Sequence, residues 1–216
     1  MKYGLIGSTG RLGGEVINVF NEKRHQLVYE LDSNKEVKND VPQLLIDCSL
    51  PSAFIKTIEL VKQFNIPLVI ATTGLTENEL QKLKDLSANV PVVQSSNFSI
   101  GVQVLLKVTE MANDVLNDWD VEISETHHRF KKDKPSGTAL MIKDKLGSKP
   151  VNISSLRLGN IVGDHTITFG GLGDTISITH HAISRRTFAE GILKSAEFVL
   201  KKKNGFYSFK EVIFGS

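Results

Sequence analysis

From Lys2 to about Phe98, short apolar runs alternate with amphipathic segments. YGLIG, QLVYEL, LLIDCS and PLVIATTG are separated by LGGEVINVF and by a helix-like stretch ending near Asn65. This is the grammar of βαβ units, in which parallel strands are covered by helices on the sheet faces. After the first run, Leu12, Val16, Val19 and Phe20 fall at i, i+4, i+7 and i+8, one face of a helix laid on a sheet. Thr76 followed by Glu79 makes a T-x-x-E capping box and predicts a helix to about Asn89, after which PVVQSS returns as a strand. Between Ser33 and Pro42 there is room only for a trimmed loop without a crossover helix.

Beyond Ile100 the grammar changes. GVQVLLKVTEMANDVL predicts one long helix, and the segments after it alternate with period two: Val121, Ile123 and Glu125, then Ile167 and Phe169, then Ile176 and Ile178. Such alternation predicts an antiparallel sheet with one buried face. RTFAEGILKSAEFVLKKK, with Phe188, Ile192, Ala196 and Val199 roughly aligned, predicts a closing helix that packs back on the first domain.

Composition narrows the class. At 216 residues with 40% hydrophobic and 23% charged, the chain is an ordinary globular protein able to bury a core. A net charge of +2 is too small to argue for nucleic acid or a membrane surface. The single cysteine, Cys48, lies in an apolar run and is expected in the core, which excludes an intramolecular disulfide. MKYGLIG begins without a charged leader, and no window reaches the ~18 consecutive apolar residues of a membrane span. A cytoplasmic protein is expected.

GSTGRLGG at 7–14 follows a strand and opens a helix. Gly7, Gly10 and Gly13 let the backbone approach a pyrophosphate, and N–H groups at the helix start bind its charge. The spacing is G-x-x-G-x-x-G, a weak signal alone. Asp32 strengthens it by ending the second strand about 20 residues on, where a carboxylate accepts from an adenosine ribose; Arg11 is placed to reach a phosphate or the adenine. ATTGL at 71–75 and SSNFS at 95–99 end later strands, at the edge that lines the ligand crevice of an open α/β sheet. The fold expected is α/β: a Rossmann-type doubly wound parallel sheet in 1–99 and 188–216, and a smaller α+β domain with a mainly antiparallel sheet in 100–187.

The densest polar stretch is SETHHRFKKDKPSGTAL, residues 124–140. A metal reading is disfavoured, because adjacent histidines on a strand point to opposite sides and neither H-E-x-x-H nor a cysteine partner is nearby. His127 and Lys131, four residues apart, are candidate proton donors. P-S-G-T starts a helix, with Pro135 in its first turn and the N–H groups of Gly137 and Thr138 available to a carboxylate. Cations plus a helix N-terminus make an anion trap, and a small acid is the expected ligand.

ETHHRFKKDKPSGTA, with GSTGRLG, LLIDCSLP, ATTG, NFSIGV, LRLGNIVGDHTITFGG and ITHHAISRRTFAEG, resembles the dihydrodipicolinate reductases of lysine and diaminopimelate biosynthesis over nearly the whole chain. The resemblance implies that Gly7, Ser8, Thr9, Gly10, Arg11 and Leu12 hold the pyrophosphate and Asp32 the ribose. It gives Ala71, Thr72 and Thr73 with Ser95, Ser96, Asn97 and Phe98 to the nicotinamide half, and His127 and Lys131 to proton transfer. His128, Ser136, Gly137 and Thr138 would bind a cyclic dicarboxylate. Hydride passes in this family from NADH or NADPH to an unsaturated ring carbon while a protein acid protonates the neighbouring carbon, and the substrate domains assemble a homotetramer. Arg185 and Phe188 would approach the cofactor, although a salt bridge and a core aromatic explain them equally.

The departures are small. ATTG stands for GTTG, Leu12 for a methionine, and Ser33 follows Asp32 where an arginine would pair with a 2′-phosphate; by charge, NADH or dual use is expected. The chain is short after Ser33 and after Gly147. His165, His180 and His181 are read as structural hydrogen bonders, Trp119 as packing, and Lys201 to Lys203 as a solvated helix end. Two other functions compete: another two-domain dehydrogenase of a small acid, which would not need this anion trap, and a non-enzymatic dinucleotide-binding regulator, which would need a basic DNA-binding helix that the sequence does not show.

Overall fold

The computed structural model describes residues 1–33 and 35–215. The chain divides into two compact units, Met1–Ser99 with Arg185–Ser216, and Ile100–Ser184. The first stretch runs β1 (Lys2–Ile6), α1 (Arg11–Glu22), β2 (Gln26–Asp32), β3 (Lys35–Lys38), β4 (Leu44–Asp47), α2 (Phe54–Phe64), β5 (Leu68–Ile70), α3 (Glu77–Leu86) and β6 (Pro91–Gln94). The inserted unit holds α4 (Ile100–Val115), β7 (Asp120–His127), α5 (Gly137–Lys145), β8 (Asn152–Arg157), β9 (Gly163–Gly170) and β10 (Thr175–Ala182). The chain then returns with α6 (Arg186–Val199), β11 (Gly205–Ser208) and α7 (Phe209–Phe214).

The first unit is one sheet in the order β11-β6-β5-β4-β1-β2-β3, parallel throughout except at β3. β4 and β5 are wholly buried, as their unbroken apolar runs require of parallel strands covered on both faces. α1 carries the chain from β1 to β2 and α2 carries it from β4 to β5 in the opposite direction across the sheet. Right-handed crossovers therefore set the two helices on opposite faces. The reversal lies between β1 and β4, where an open α/β sheet leaves a crevice at the strand carboxyl ends. α1 buries Val16, Val19 and Phe20, with Tyr3 and Phe20 rings 4.6 Å apart. The Thr76 capping box forms, its hydroxyl accepting from Glu79 N–H while the Glu79 carboxylate accepts from Thr76 N–H. α2 stops at Asn65 in the left-handed region.

The trimmed loop expected after Ser33 is instead a short edge strand; Asn34 itself lies outside the described residues. Lys35–Lys38 pairs antiparallel with β2, Leu31 opposite Glu36 and Tyr29 opposite Lys38. The Tyr29 hydroxyl donates to Glu36 over 2.7 Å and Lys35 meets Glu30 at 2.9 Å. Charged residues on an edge blunt further strand pairing, which is why KEVK has none of the apolar alternation of a buried strand.

In the inserted unit the order is β10-β9-β7-β8, antiparallel except for the parallel pair β7–β8. The inner face brings Val121, Ile123, Ile167 and Phe169 against Leu105, Leu106 and Ile142. The other face is hydroxyl-rich: Thr166 bonds Thr179 at 3.1 Å and Thr168 bonds Ser177 at 3.0 Å. Trp119 packs against this core beside Gly171. Among the described residues no helix is long and apolar enough to cross a membrane.

Candidate active site

In the first unit the turn after β1 is made by glycine. Gly7 has φ +83°, and its N–H donates to the Leu31 carbonyl over 2.9 Å. A Cβ on Gly13 would lie 2.1 Å from the Gly7 oxygen, so α1 reaches the turn only without a side chain there. Gly10 caps α1 with no side-chain bond, leaving first-turn N–H groups, Arg11 and Leu12 among them, without a helical acceptor. Asp32, at the end of β2, faces this turn: Thr9 N–H and hydroxyl donate to its Oδ2 over 2.9 and 2.6 Å, and Ser33 N–H to its Oδ1 over 2.9 Å. These bonds, Thr9's hydroxyl foremost, hold the carboxyl below its usual range. A cleft of about 570 Å³ is lined by Gly7, Thr9, Gly10, Asp32, Ser33 and Cys48 among others. Cys48 is thus half-buried on the cleft wall, not in the core as expected; it follows β4, where the sheet opens. Arg185 lies close enough to Arg11 for repulsion to lower its pKa, second to burial.

Asp47, wholly buried at the end of β4, organises the neighbouring strand ends. Its carboxylate accepts from Thr57 over 2.6 Å, from Thr72 over 2.9 Å and from Ser49 N–H over 2.9 Å. Its carbonyl accepts from Ala71 N–H over 2.8 Å. Thr72 is buried by this bond, while Thr73 stays exposed. After β6, Ser95 donates to the Asn97 carbonyl over 2.8 Å, and Phe98 is buried against Phe209.

The second unit carries the histidine site. Period two on β7 puts Glu125 and His127 on the same buried face. His127 Nδ1 bonds Glu125 Oε2, and Arg157 on β8 donates from Nη2 to Oε1 over 2.9 Å and from Nη1 to Oε2 over 3.0 Å. Burial raises the Glu125 pKa, but bonds from Arg157, Ser155 and His127 outweigh it and hold the carboxyl at about 2. Burial lowers the His127 pKa; Glu125 opposes this, and the charges of Lys131 and Arg157 reinforce it. His165 on β9 stands 5.2 Å from His127, ring centroid to centroid at 76°, and burial pushes it down to about 3.

The segment after β7 closes over this cluster. Lys131 N–H donates to the His128 carbonyl over 3.1 Å, and Lys131 Nζ meets Asp133 at 2.9 Å. His128 is half-buried, its ring 6.4 Å from that of Phe130. Lys134–Pro135 is cis, and α5 begins after Ser136, so Pro135 stands before the cap and not in the first turn. The serine hydroxyl explains this: it accepts from Ala139 N–H and bonds His165 Nε2, both at 3.2 Å. Gly137 and Thr138 open α5, where N–H groups find no carbonyl within the helix.

The structure thus joins His127, Lys131 and Ser136, and adds three residues outside the expected site: Glu125, Arg157 and His165. Glu125 is announced by its position two before His127, and His165 by its alternation with Ile167 and Phe169; Arg157 carries no such mark. Glu125, His127 and His165 present ligand atoms within 4.8 Å of one another. Arg157 nevertheless engages both Glu125 oxygens and sets a fixed positive charge where a cation would need a free carboxylate.

Comparison with known proteins gives consistent results for both units. The family model described as dihydrodipicolinate reductase, N-terminus matches residues 1–98, and dihydrodipicolinate reductase, C-terminus matches residues 101–213. The chain is 47% identical to a 4-hydroxy-tetrahydrodipicolinate reductase of Thermosipho africanus over 99% of this chain and 98% of that protein. It is 36% identical to the same enzyme of Staphylococcus saprophyticus, over 97% and 99%. In fold it is similar to a dipicolinate-bound dihydrodipicolinate reductase from Paenisporosarcina sp. TG-14, with a TM-score of 0.79 and 24% identity, covering 96% of this chain and 97% of that one.

Proposed function

Because the chain belongs to the dihydrodipicolinate reductase family, we propose that it reduces 4-hydroxy-tetrahydrodipicolinate to tetrahydrodipicolinate in lysine and diaminopimelate biosynthesis. The observation that carries the chemistry is a buried imidazole, backed by an ionised carboxylate, in the same unit as Lys131 and the start of α5. The dinucleotide, NADH or NADPH, is assigned to the glycine turn and Asp32, and supplies the hydride when bound. The ionised Asp32 suits free ribose hydroxyls and works against a 2′-phosphate.

In this reading hydride addition to one ring carbon leaves electron density that is quenched by a proton at the neighbouring carbon, delivered from His127 or Lys131. His127 takes part through Nε2, since Nδ1 is engaged by Glu125; it delivers a proton there as the imidazolium, protonated on both nitrogens, and when neutral offers Nε2 as an acceptor. The two substrate carboxylates are assigned to His128, the Ser136 cap and the N–H groups of Gly137 and Thr138, which stabilise negative charge without reorganising. The trio of Glu125, His127 and His165 is read as protic, not as a metal site. The hydroxyl-rich sheet face, with Leu156 about half exposed beside Thr126, is proposed as the contact of a homotetramer, to be checked by light scattering.

Loss of reduced-nicotinamide absorbance with enzymatically generated substrate tests the activity. We expect His127→Gln and Lys131→Ala each to lower turnover by ~100-fold or more with dinucleotide binding nearly intact. Absence of turnover by the folded wild type would sink the proposal.

A further inference from the structure

The guanidinium of Arg157 does more than pair with a neighbouring carboxylate. Its side chain is 8% exposed, and besides the two bonds to Glu125 its Nη2 donates to the Asp133 carbonyl over 2.6 Å and its Nη1 to the Leu156 carbonyl over 2.6 Å. Glu125 in turn receives His127, and the Asp133 carboxylate holds Lys131 Nζ at 2.9 Å. One buried cation is therefore bonded to the carboxylate behind the imidazole and to the backbone of the turn that carries the ammonium.

We propose that Arg157 is a positioning residue for proton transfer: it keeps Glu125 ionised, so that neutral His127 carries its proton on Nδ1 and offers Nε2, and it fixes the Asp133 turn so that Lys131 is held at the same site. The inference rests on the reading that His127 and Lys131 are the proton-transfer pair.

The physical reasons are three. A carboxylate this deeply buried stays ionised because both its oxygens meet the guanidinium; without that partner, Glu125 and His127 would share a proton and titrate as a pair. Glu125 on β7, Arg157 on β8, His165 on β9 and Lys131 on the following segment are the titratable groups that face His127, so removing Arg157 leaves one cation and one anion beside the ring. Finally, only a planar fork can span two carboxylate oxygens and a carbonyl together; a lysine offers one compact ammonium.

The test is nitrogen-15 NMR of histidines in the full chain, without ligands, as a function of pH. We expect the wild-type neutral His127 to be the Nδ1–H form. In Arg157→Met the apparent pKa of the His127–Glu125 pair should rise by about one unit or more, with Arg157→Lys between. Glu125→Gln keeps the shape of the carboxylate and provides a second measurement should Arg157→Met fail to fold. Its amide carbonyl would accept from Arg157 and its NH2 would donate to Nδ1, moving the His127 proton to Nε2. In turnover, Arg157→Met should lower kcat by about 10- to 100-fold, less than loss of His127 itself, with dinucleotide affinity unchanged and partial recovery in Arg157→Lys. A wild-type His127 protonated on Nε2 when neutral, or variants that titrate as the wild type, would overturn the proposal. Absence of turnover in the wild type would instead remove the functional reading, and the NMR result would still decide the role of Arg157.

Discussion

Replacing His165 by glutamine should alter the response of this protein to acid far more than its stability at neutral pH. The imidazole is 3% exposed, bonded through Nε2 to Ser136 and packed edge-on to His127. Burial, and after it the proximity of His127, push its pKa down to about 3. A histidine in the unfolded chain titrates near 6.5. Below about pH 6.5 the unfolded chain therefore binds a proton that the folded chain refuses until about pH 3, and stability falls as pH falls through that window. With these two values the loss between pH 7 and pH 4.5 is about 2.5 kcal/mol from this residue alone. Glu125 has the other kind of shift: its folded pKa lies below the ordinary value, so its contribution is intact above about pH 4.5 and is lost as pH falls towards about 2. It acts mainly below pH 4.5, the lower of the two conditions measured, and is common to wild type and variant. Urea unfolding at fixed protein concentration, near pH 7 and near pH 4.5, gives the two losses, which should differ by about 2.5 kcal/mol in favour of His165→Gln. Parallel losses in the two proteins would refute the assignment of His165 as a buried neutral base.

Other substitutions probe the dinucleotide unit. Gly13→Ala should weaken nicotinamide-dinucleotide binding at least tenfold and destabilise by about 1–3 kcal/mol, since its methyl would enter the Gly7 carbonyl; isothermal titration and thermal melting read the two effects. Asp47→Ala orphans the Thr72 hydroxyl and the Ser49 N–H and leaves the Thr57 hydroxyl only the Ala53 carbonyl, at a cost of about 2–4 kcal/mol. It should lower the melting temperature clearly, and a wild-type melt would refute the view of Asp47 as organiser of the strand ends. Thr76→Ala should cost about 1 kcal/mol through loss of the α3 capping box, measured by chemical denaturation.

The legible parts of the fold were those whose physics is local. The α1 stripe, the Thr76 cap and the glycine turn each depend on residues a few positions apart, and they form as the spacing predicts. β3, β8 and β11 were missed because each is short and lies at a sheet edge, where one-sided exposure permits KEVK, NISSLR and GFYS to lack apolar alternation. The sequence places Pro135 in the first turn, yet it stands two positions before Gly137, since the Ser136 hydroxyl, not the proline ring, starts α5. At the site, Glu125 was visible in principle through the strand period. Arg157 was not, because its carboxylate partner is 32 positions away and is met only through the parallel pairing of β7 with β8.

The order in which the chain leaves the ribosome gives the β11–α6 return a further meaning. α6 packs against α1, and β11 adds the last strand beside β6, yet both are translated after the whole inserted unit. The inserted unit is continuous in sequence and can assemble from local chain as it emerges, whereas the unit that holds β1 to β6 must wait, with the α1 surface uncovered, for α6 and β11. Biogenesis thus inverts the reading order, and the unit begun first is the one that depends on the segment made after the insertion.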